Sequence, residues 1–219
     1  MKFKLSTFKD KHIFLIGPVK TVPVTSDEYD GYDFVARMSG CLGSGHLAER
    51  TDIIFLRRKL ADYYSTHHDP LLNDMIIISH KIKEDCFAPE LMKQYPSARV
   101  VSVRTCNEGA NLKDGKMLYE GTHALALMLK SGASVTYGGS DFWYSGFGGN
   151  YVDGYVTNPN KVPTKKKRTG NKKESKYHDI KIDLRFIKNY LMPKYGDKLK
   201  LHGKTKYFFE KSLERYEIE

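Results

Sequence analysis

Residues 119–139 read YEGTHALALMLKSGASVTYGG, and this stretch decides the fold class. Helix formers run from Tyr119 to a terminal glycine, Gly132, and SVTYGG (134–139) follows at once as a short strand. The same alternation continues on both sides. Upstream, HIFLIG (12–17), YDFVARM (32–38), TDIIFL (51–56), MIIISH (75–80) and ARVVSVR (98–104) read as strands. RRKLADYYS (57–65) and APELMKQYP (88–96) read as helices, the second with Pro89 in its first turn and Pro96 at its end. Downstream, 179–191 and 206–216 read as helices. Strands alternating with helices predict a mostly parallel central sheet with helices on both faces, a single Rossmann-like α/β domain over residues 1–219. No internal repeat is present.

At 219 residues the chain is long enough for one sizeable core, and its 40% hydrophobic content is ordinary for a globular protein. No apolar run approaches the roughly 20 residues that span a bilayer, so no membrane partner is expected. The opening MKFKLSTFKD lacks a sustained apolar region and a cleavage site, which argues against a secretory signal. Cys41, Cys86 and Cys106 are isolated and match no zinc or redox spacing. Isolated thiols fit a reducing compartment, and a cytoplasmic location is the expectation.

The net charge of +10 is concentrated. KVPTKKKRTGNKKESK (161–176) holds eight Lys or Arg and one Glu, a net of +7, so the other 203 residues carry only +3. With Pro163 and Gly170 inside it, the block reads as a surface loop at about 158–177. It is either a solubilising insertion or a polyanion contact, in which Lys165, Lys166, Lys167 and Arg168 would replace counterions along phosphates.

In an open parallel sheet, ligands sit beyond the carboxyl ends of the strands. The residues to watch are Gly17-Pro18, Arg37-Met38-Ser39 and Tyr137-Gly138-Gly139. No Walker lysine loop is present, and GCLGSG (40–45) has glycines at the wrong offsets for a dinucleotide fingerprint. Glu28-Tyr29-Asp30 is a poor substitute for a metal-holding Asp-x-Asp pair. His67-His68-Asp69 lies in a polar turn where adjacent side chains diverge. Neither a metal nor a resident cofactor is expected.

Three segments resemble the sialyltransferase family. IFLIG, YDFVARMSGC and GHLAERTDIIFL are similar to its large motif, with Asp33, Val35, Arg37, Met38, Arg50 and Thr51 at the spacing of its core. YEGTHALALMLKSGASVTYGG looks like the small motif. YHDIKID resembles the late His-x4-Glu motif, with His178 and Asp183 here. Together they cover roughly residues 12 to 190. Five positions depart from the pattern: Pro18 and Ser39 stand where the family has asparagines, Gly121-Thr122 reverses a Thr-Gly, and Asp183 replaces the glutamate. The cysteines that bridge the two motifs in lumenal members are missing.

The resemblance implies an inverting, metal-independent transferase that uses a nucleotide sugar as donor substrate. Gly17, Pro18, Arg37, Ser39, Gly121, Thr122, Tyr137 and Gly138 would ring the donor. Glycine-rich backbone lets amides approach phosphate. Arg37 and Arg50 would clamp the nucleotide or pin the loop, and Thr122 would serve as an N-cap, face the nucleotide, or both. His178 would be the base that takes the acceptor hydroxyl's proton, a role suited to a pKa near 6.5, or else a surface histidine ahead of a helix capped by Asp179. His123 reads as a core or rim histidine.

GGSDFWYSGFGGN (138–150) packs five glycines and four aromatics into thirteen residues. Its aromatics either pack over the sheet or form an acceptor loop, in which Trp143 and Tyr144 would stack on a sugar or a base. Beside the basic block, in a chain expected to be cytoplasmic, it points to DNA as the acceptor, in the manner of phage enzymes that glycosylate hydroxymethylated bases. A duplex base would have to be flipped out. A sialyltransferase acting on a glycan and a non-catalytic nucleic-acid-binding protein of the same fold are the rival expectations.

Overall fold

The structure, a computed structural model, describes residues 4–19, 22–38, 50–81, 88–104, 108–112, 116–142, 144 and 178–219. Ser39, Trp143, the cluster Lys165, Lys166, Lys167 and Arg168, and the three cysteines lie outside the described residues.

The chain builds β1 (His12–Ile16), β2 (Phe34–Met38), β3 (Ile53–Leu56), α1 (Arg58–Thr66), β4 (Ile76–Lys81), α2 (Ala88–Gln94) and β5 (Arg99–Arg104). It continues with α3 (Glu120–Lys130), β6 (Ser134–Gly138), α4 (Ile180–Phe186), α5 (Met192–Tyr195), β7 (Leu199–Leu201) and α6 (Gly203–Arg215). The seven strands form one sheet in the order β5-β4-β3-β2-β1-β6-β7, and every pairing is parallel. The chain starts in the middle, works outward to β5, then returns to the other side of β1. The strand order therefore reverses between β1 and β6. This is the predicted α/β, Rossmann-like architecture.

Both sheet faces are covered, which is why the strands are apolar on both sides rather than alternating. On one face Ile13, Leu15, Ala36, Met38, Phe55 and Tyr137 pack with α3, α4 and Phe209 of α6. On the other, Ile54, Leu56 and Ile77 meet Leu60, Ala61 and Tyr64 of α1 and Leu91 of α2. Phe14, Ile16 and Val35 on that face lie under Val24 and Tyr29.

Two details depart from the expected elements. The helix expected over 179–191 is α4 followed by a π turn, Ile187–Leu191, where the Met192 amide bonds back to the Ile187 carbonyl. Pro193, in the first turn of α5, has no amide to donate, so a regular α ladder cannot run through it. The three-residue β7 was not anticipated. It is an edge strand too short to carry an alternating pattern.

The amino ends of β1 and β2 are closed by carboxylates. Asp33 accepts from the His12 amide (2.8 Å) and from Lys11 Nζ (3.1 Å), and these donors hold its carboxyl below the usual carboxylate range. Asp52 accepts from the Val35 amide (2.7 Å). Arg50 pairs with Asp52 at 3.0 Å and donates to the Asp33 carbonyl at 3.0 Å. Each aspartate satisfies a strand amide that would otherwise lack a partner.

Candidate active site

The carboxyl ends of the strands are built differently. Where β1 and β6 part, the Gly17 amide donates to the Gly138 carbonyl (2.8 Å) and the Val19 amide to the Gly139 carbonyl (3.1 Å). A Cβ on Gly17 would stand 2.5 Å from the Gly139 oxygen, and one on Gly139, at φ +69°, would stand 2.6 Å from the Gly17 oxygen. Only a pair of glycines lets the two backbones touch here. The consequence for the expected phosphate contact is direct. The Gly17 amide is committed to the sheet and Pro18 has none to give, so neither of these two residues offers a ligand a backbone donor.

Beyond the turn, Ser140 and Asp141 are buried and Phe142 adopts φ +44°, rare for a bulky residue. Three ties hold it. Its amide bonds Ser140 Oγ (3.3 Å), its carbonyl accepts from Ser212 Oγ (3.2 Å), and its ring packs edge-on to Tyr137 and Phe209. Tyr144 lies on α6: its carbonyl accepts from Arg215, whose guanidinium sits 5.6 Å over the ring. Phe142 therefore packs between the sheet and α6, and Tyr144 packs on α6.

The N-terminus of α3 faces the same edge, because α3 runs back from it to feed β6. Gly121 is close under Tyr137; a Cβ there would meet the tyrosine oxygen at 2.5 Å. Two residues expected beside the donor, Gly121 and Tyr137, are thus brought together. Thr122 is not the N-cap. Tyr119 holds that position, and Thr122 is 2% exposed inside the first turn. The capping group comes from α4, where Asp183 Oδ1 accepts from the Tyr119 amide at 3.0 Å.

Asp183 is fully buried. Burial pushes its carboxyl up to about 7, against the opposing pull of the Thr122 hydroxyl and the Tyr119 amide, while Asp179 raises it further. Its Oδ2 has no hydrogen-bond partner among the described residues. Asp179 caps α4 as expected, accepting from the Lys181 amide at 2.9 Å.

His178 precedes that cap. Its ring stacks on Tyr119, centroids 4.4 Å apart and planes 20° apart, and its Nδ1 lies 2.9 Å from the Met117 carbonyl. A carbonyl only accepts, so Nδ1 carries the proton and the neutral ring keeps its lone pair on Nε2. Burial lowers the pKa of His178. The Met117 bond acts the other way, the positive charges of Arg57 and Lys116 lower it, and Glu120 raises it. The histidine is thereby held neutral at physiological pH with one nitrogen anchored and the other able to accept a proton.

Arg57 and Glu120 carried no readable motif. Arg57 follows β3 directly, 42% exposed by side chain, and forms an ion pair with the buried Glu120 of α3. This contact spans 63 residues of sequence, which is why spacing could not reveal it.

Other expected residues sit elsewhere. Arg37 is 2% exposed, and its Nε donates to Thr51 Oγ1 (2.9 Å), back toward the start of β3, with Tyr29 under its guanidinium. Arg50 lies at the amino edge. Arg37 is thus tied to a side chain, and Arg50 to the Asp33 carbonyl and the Asp52 carboxylate. His123 is buried in α3. His67 and His68 stack on different tyrosines, Tyr63 and Tyr95, and Glu28 is tied to Thr25 in a capping box. Among the described residues no group of three or more His, Cys, Asp or Glu could hold a metal ion, and no helix is long and apolar enough to cross a membrane.

A depression of about 240 Å³ opens at the amino ends of β1 and β6, lined by His12, Asp30, Tyr32, Thr136, Lys198 and Lys200. It lies at the opposite edge from the reversal of strand order, where open parallel sheets bind their ligands. The carboxyl edge, with the anchored His178, is the candidate site. No protein-family model matches the chain, and no curated protein matches it.

Proposed function

We propose that the protein is an inverting, metal-independent glycosyltransferase that uses a nucleotide sugar. The observation that carries this reading is His178, with Nδ1 anchored and Nε2 available at the N-terminus of α3, on the sheet edge where strand order reverses. In the proposed reaction Nε2 accepts the proton of an acceptor hydroxyl. The hydroxyl oxygen forms a bond to the anomeric carbon from the face opposite the leaving group. The bond from that carbon to the nucleotide's phosphate oxygen breaks, and the nucleotide departs with the electron pair. The resemblance of the late segment and of residues 119–139 to sialyltransferase motifs supports the assignment.

The acceptor we propose is a hydroxyl on a modified DNA base. The basic block at 161–176 supports a polyanionic partner. So does α6, which exposes Lys204, Lys206 and Tyr207 (53% exposed). Its first turn is tied to the carboxyl edge by the His202 amide on the Tyr137 carbonyl (2.9 Å) and the Ser140 amide on Thr205 Oγ1 (3.2 Å). Lysines beside an exposed aromatic suit a strand with phosphates and stacking bases.

The test is incubation with a panel of nucleotide sugars, with and without chelator, against hydroxymethylated DNA and against glycans, read by mass spectrometry. Sugar on DNA supports the full proposal. Sugar on glycans alone returns the acceptor to the sialyltransferase reading. Salt-sensitive DNA binding with no transfer and no nucleotide release makes the protein a binder, and strict dependence on a divalent metal removes the metal-free mechanism.

A further inference from the structure

We propose that Asp183 is a positioning residue for His178, acting through Tyr119: its carboxyl group fixes the backbone that carries the ring on which the imidazole lies. The geometry is a clasp. One short segment, 178–183, grips another, 117–119, at three points. His178 Nδ1 holds the Met117 carbonyl (2.9 Å), the His178 ring lies on the Tyr119 ring (4.4 Å), and Asp183 Oδ1 holds the Tyr119 amide (3.0 Å). From the other side the His123 amide donates to the Tyr119 carbonyl (2.9 Å), so both backbone polar groups of Tyr119 are fixed. A histidine exposed at a loop end would otherwise sample several rotamers. Here its tautomer and its plane are set by groups that Asp183 locks to α3.

The grip depends on charge. An ionised carboxylate at a helix N-terminus accepts a stronger hydrogen bond than a neutral acid and is favoured by the helix dipole. Burial opposes ionisation and pushes the Asp183 carboxyl up to about 7. The groups acting on it are Asp179 on its own segment, the Thr122 hydroxyl on α3 and the Tyr119 amide; those acting on His178 are Arg57, Lys116 and Glu120. Losing the Asp183 charge weakens the clasp, so the state of His178 follows the state of Asp183 across neutral pH.

This inference rests on the reading of His178 as the working group, but its test needs no turnover. Long-range proton–nitrogen NMR of the full chain, with the His178 ring assigned from a His178→Gln spectrum, reads its tautomer and titration. Wild type should show the Nδ1-protonated form, and its His178 curve should carry a second inflection from Asp183. Asp183→Asn keeps an oxygen for the Tyr119 amide and removes the titration, so the tautomer should persist and the second inflection vanish. Asp183→Leu removes the acceptor, and the ring should become a mixture of tautomers with its pKa moved up toward the ordinary histidine value. An unchanged tautomer and pKa in folded Asp183→Leu would overturn the proposal. Should that variant fail to fold, a single His178 inflection in both wild type and Asp183→Asn overturns it instead. An intact Asp183–His178 coupling in a protein that transfers no sugar would overturn the transferase reading alone.

Discussion

The two edges of one sheet solve opposite problems. At the amino edge, Asp33 and Asp52 cap strand amides and are neutralised by Lys11 and Arg50. Polar groups there are paired locally. At the carboxyl edge the Gly17 and Gly139 backbones touch, Phe142 is held at positive φ, and a fully buried Asp183 reaches across from another element to cap α3. The first arrangement minimises cost; the second accepts a close backbone contact, a positive φ and the desolvation of a carboxyl group. A bulky residue at positive φ and a fully buried carboxyl group are frequent marks of a functional site.

The sharpest break between the edges is steric. Gly139→Ala combines an unfavourable φ with a backbone clash and should cost about 2–4 kcal/mol. Gly31 also has positive φ (+87°) but nothing within 4 Å of a new Cβ, so Gly31→Ala should cost about 1–2 kcal/mol. Denaturant unfolding of the two variants measures the difference. Equal losses would mean that the glycine contact at the strand reversal is not tight.

The next contrast is between chemistry and stability. In the nucleotide-sugar assay His178→Ala should lower turnover by about a hundredfold or more with little loss of stability. Asp52→Ala should do the reverse, losing about 1–3 kcal/mol through the uncapped Val35 amide while turnover per folded molecule holds. A His178→Ala variant with full turnover would leave the candidate base without a role. In wild type the acid limb of the rate profile should fall below the ordinary histidine pKa, since burial favours the neutral ring.

A pH experiment separates the carboxylates. Asp183 titrates near 3.8 when unfolded and at about 7 when folded, so the native state binds the extra proton between those values. Stability contributed by this group therefore falls as pH rises from about 4 to 7 and is flat above. Asp33, held low by its donors, has the opposite sign: it stabilises above its unfolded pKa, and that is lost as pH falls through the folded value. Thermal melting of wild type minus Asp183→Asn isolates the first effect. Parallel curves would show that Asp183 is not raised.

The smallest effect belongs to the amino edge. Lys11 and Asp33 are solvent-exposed partners, and Lys11→Met should change stability by less than about 1 kcal/mol, shrinking further with salt. A larger change would make the amino-edge network more than a set of local caps.

Much of the scaffold was legible because local pattern and global fold agree. Apolar runs such as MIIISH can satisfy their backbone only in a sheet and bury both faces only under helices, so six strands and the alternating helices could be read directly. Asp179 was legible too, as a cap ahead of a helix. What the sequence left open were contacts between distant segments. Arg37 at a strand end has the chemistry of a clamp or of a loop pin, and its part-buried bond to Thr51 was not readable from spacing. Thr122 has the chemistry of an N-cap, yet Asp183 from α4 caps the helix that Thr122 sits in. The Arg57–Glu120 pair and the clasp on Tyr119 join residues some sixty positions apart. Hydrophobic periodicity is a property of neighbours along the chain, so sequence determined which segments become strands and helices. Which side chain meets which across the sheet depends on how those elements pack, and tertiary structure alone decided it.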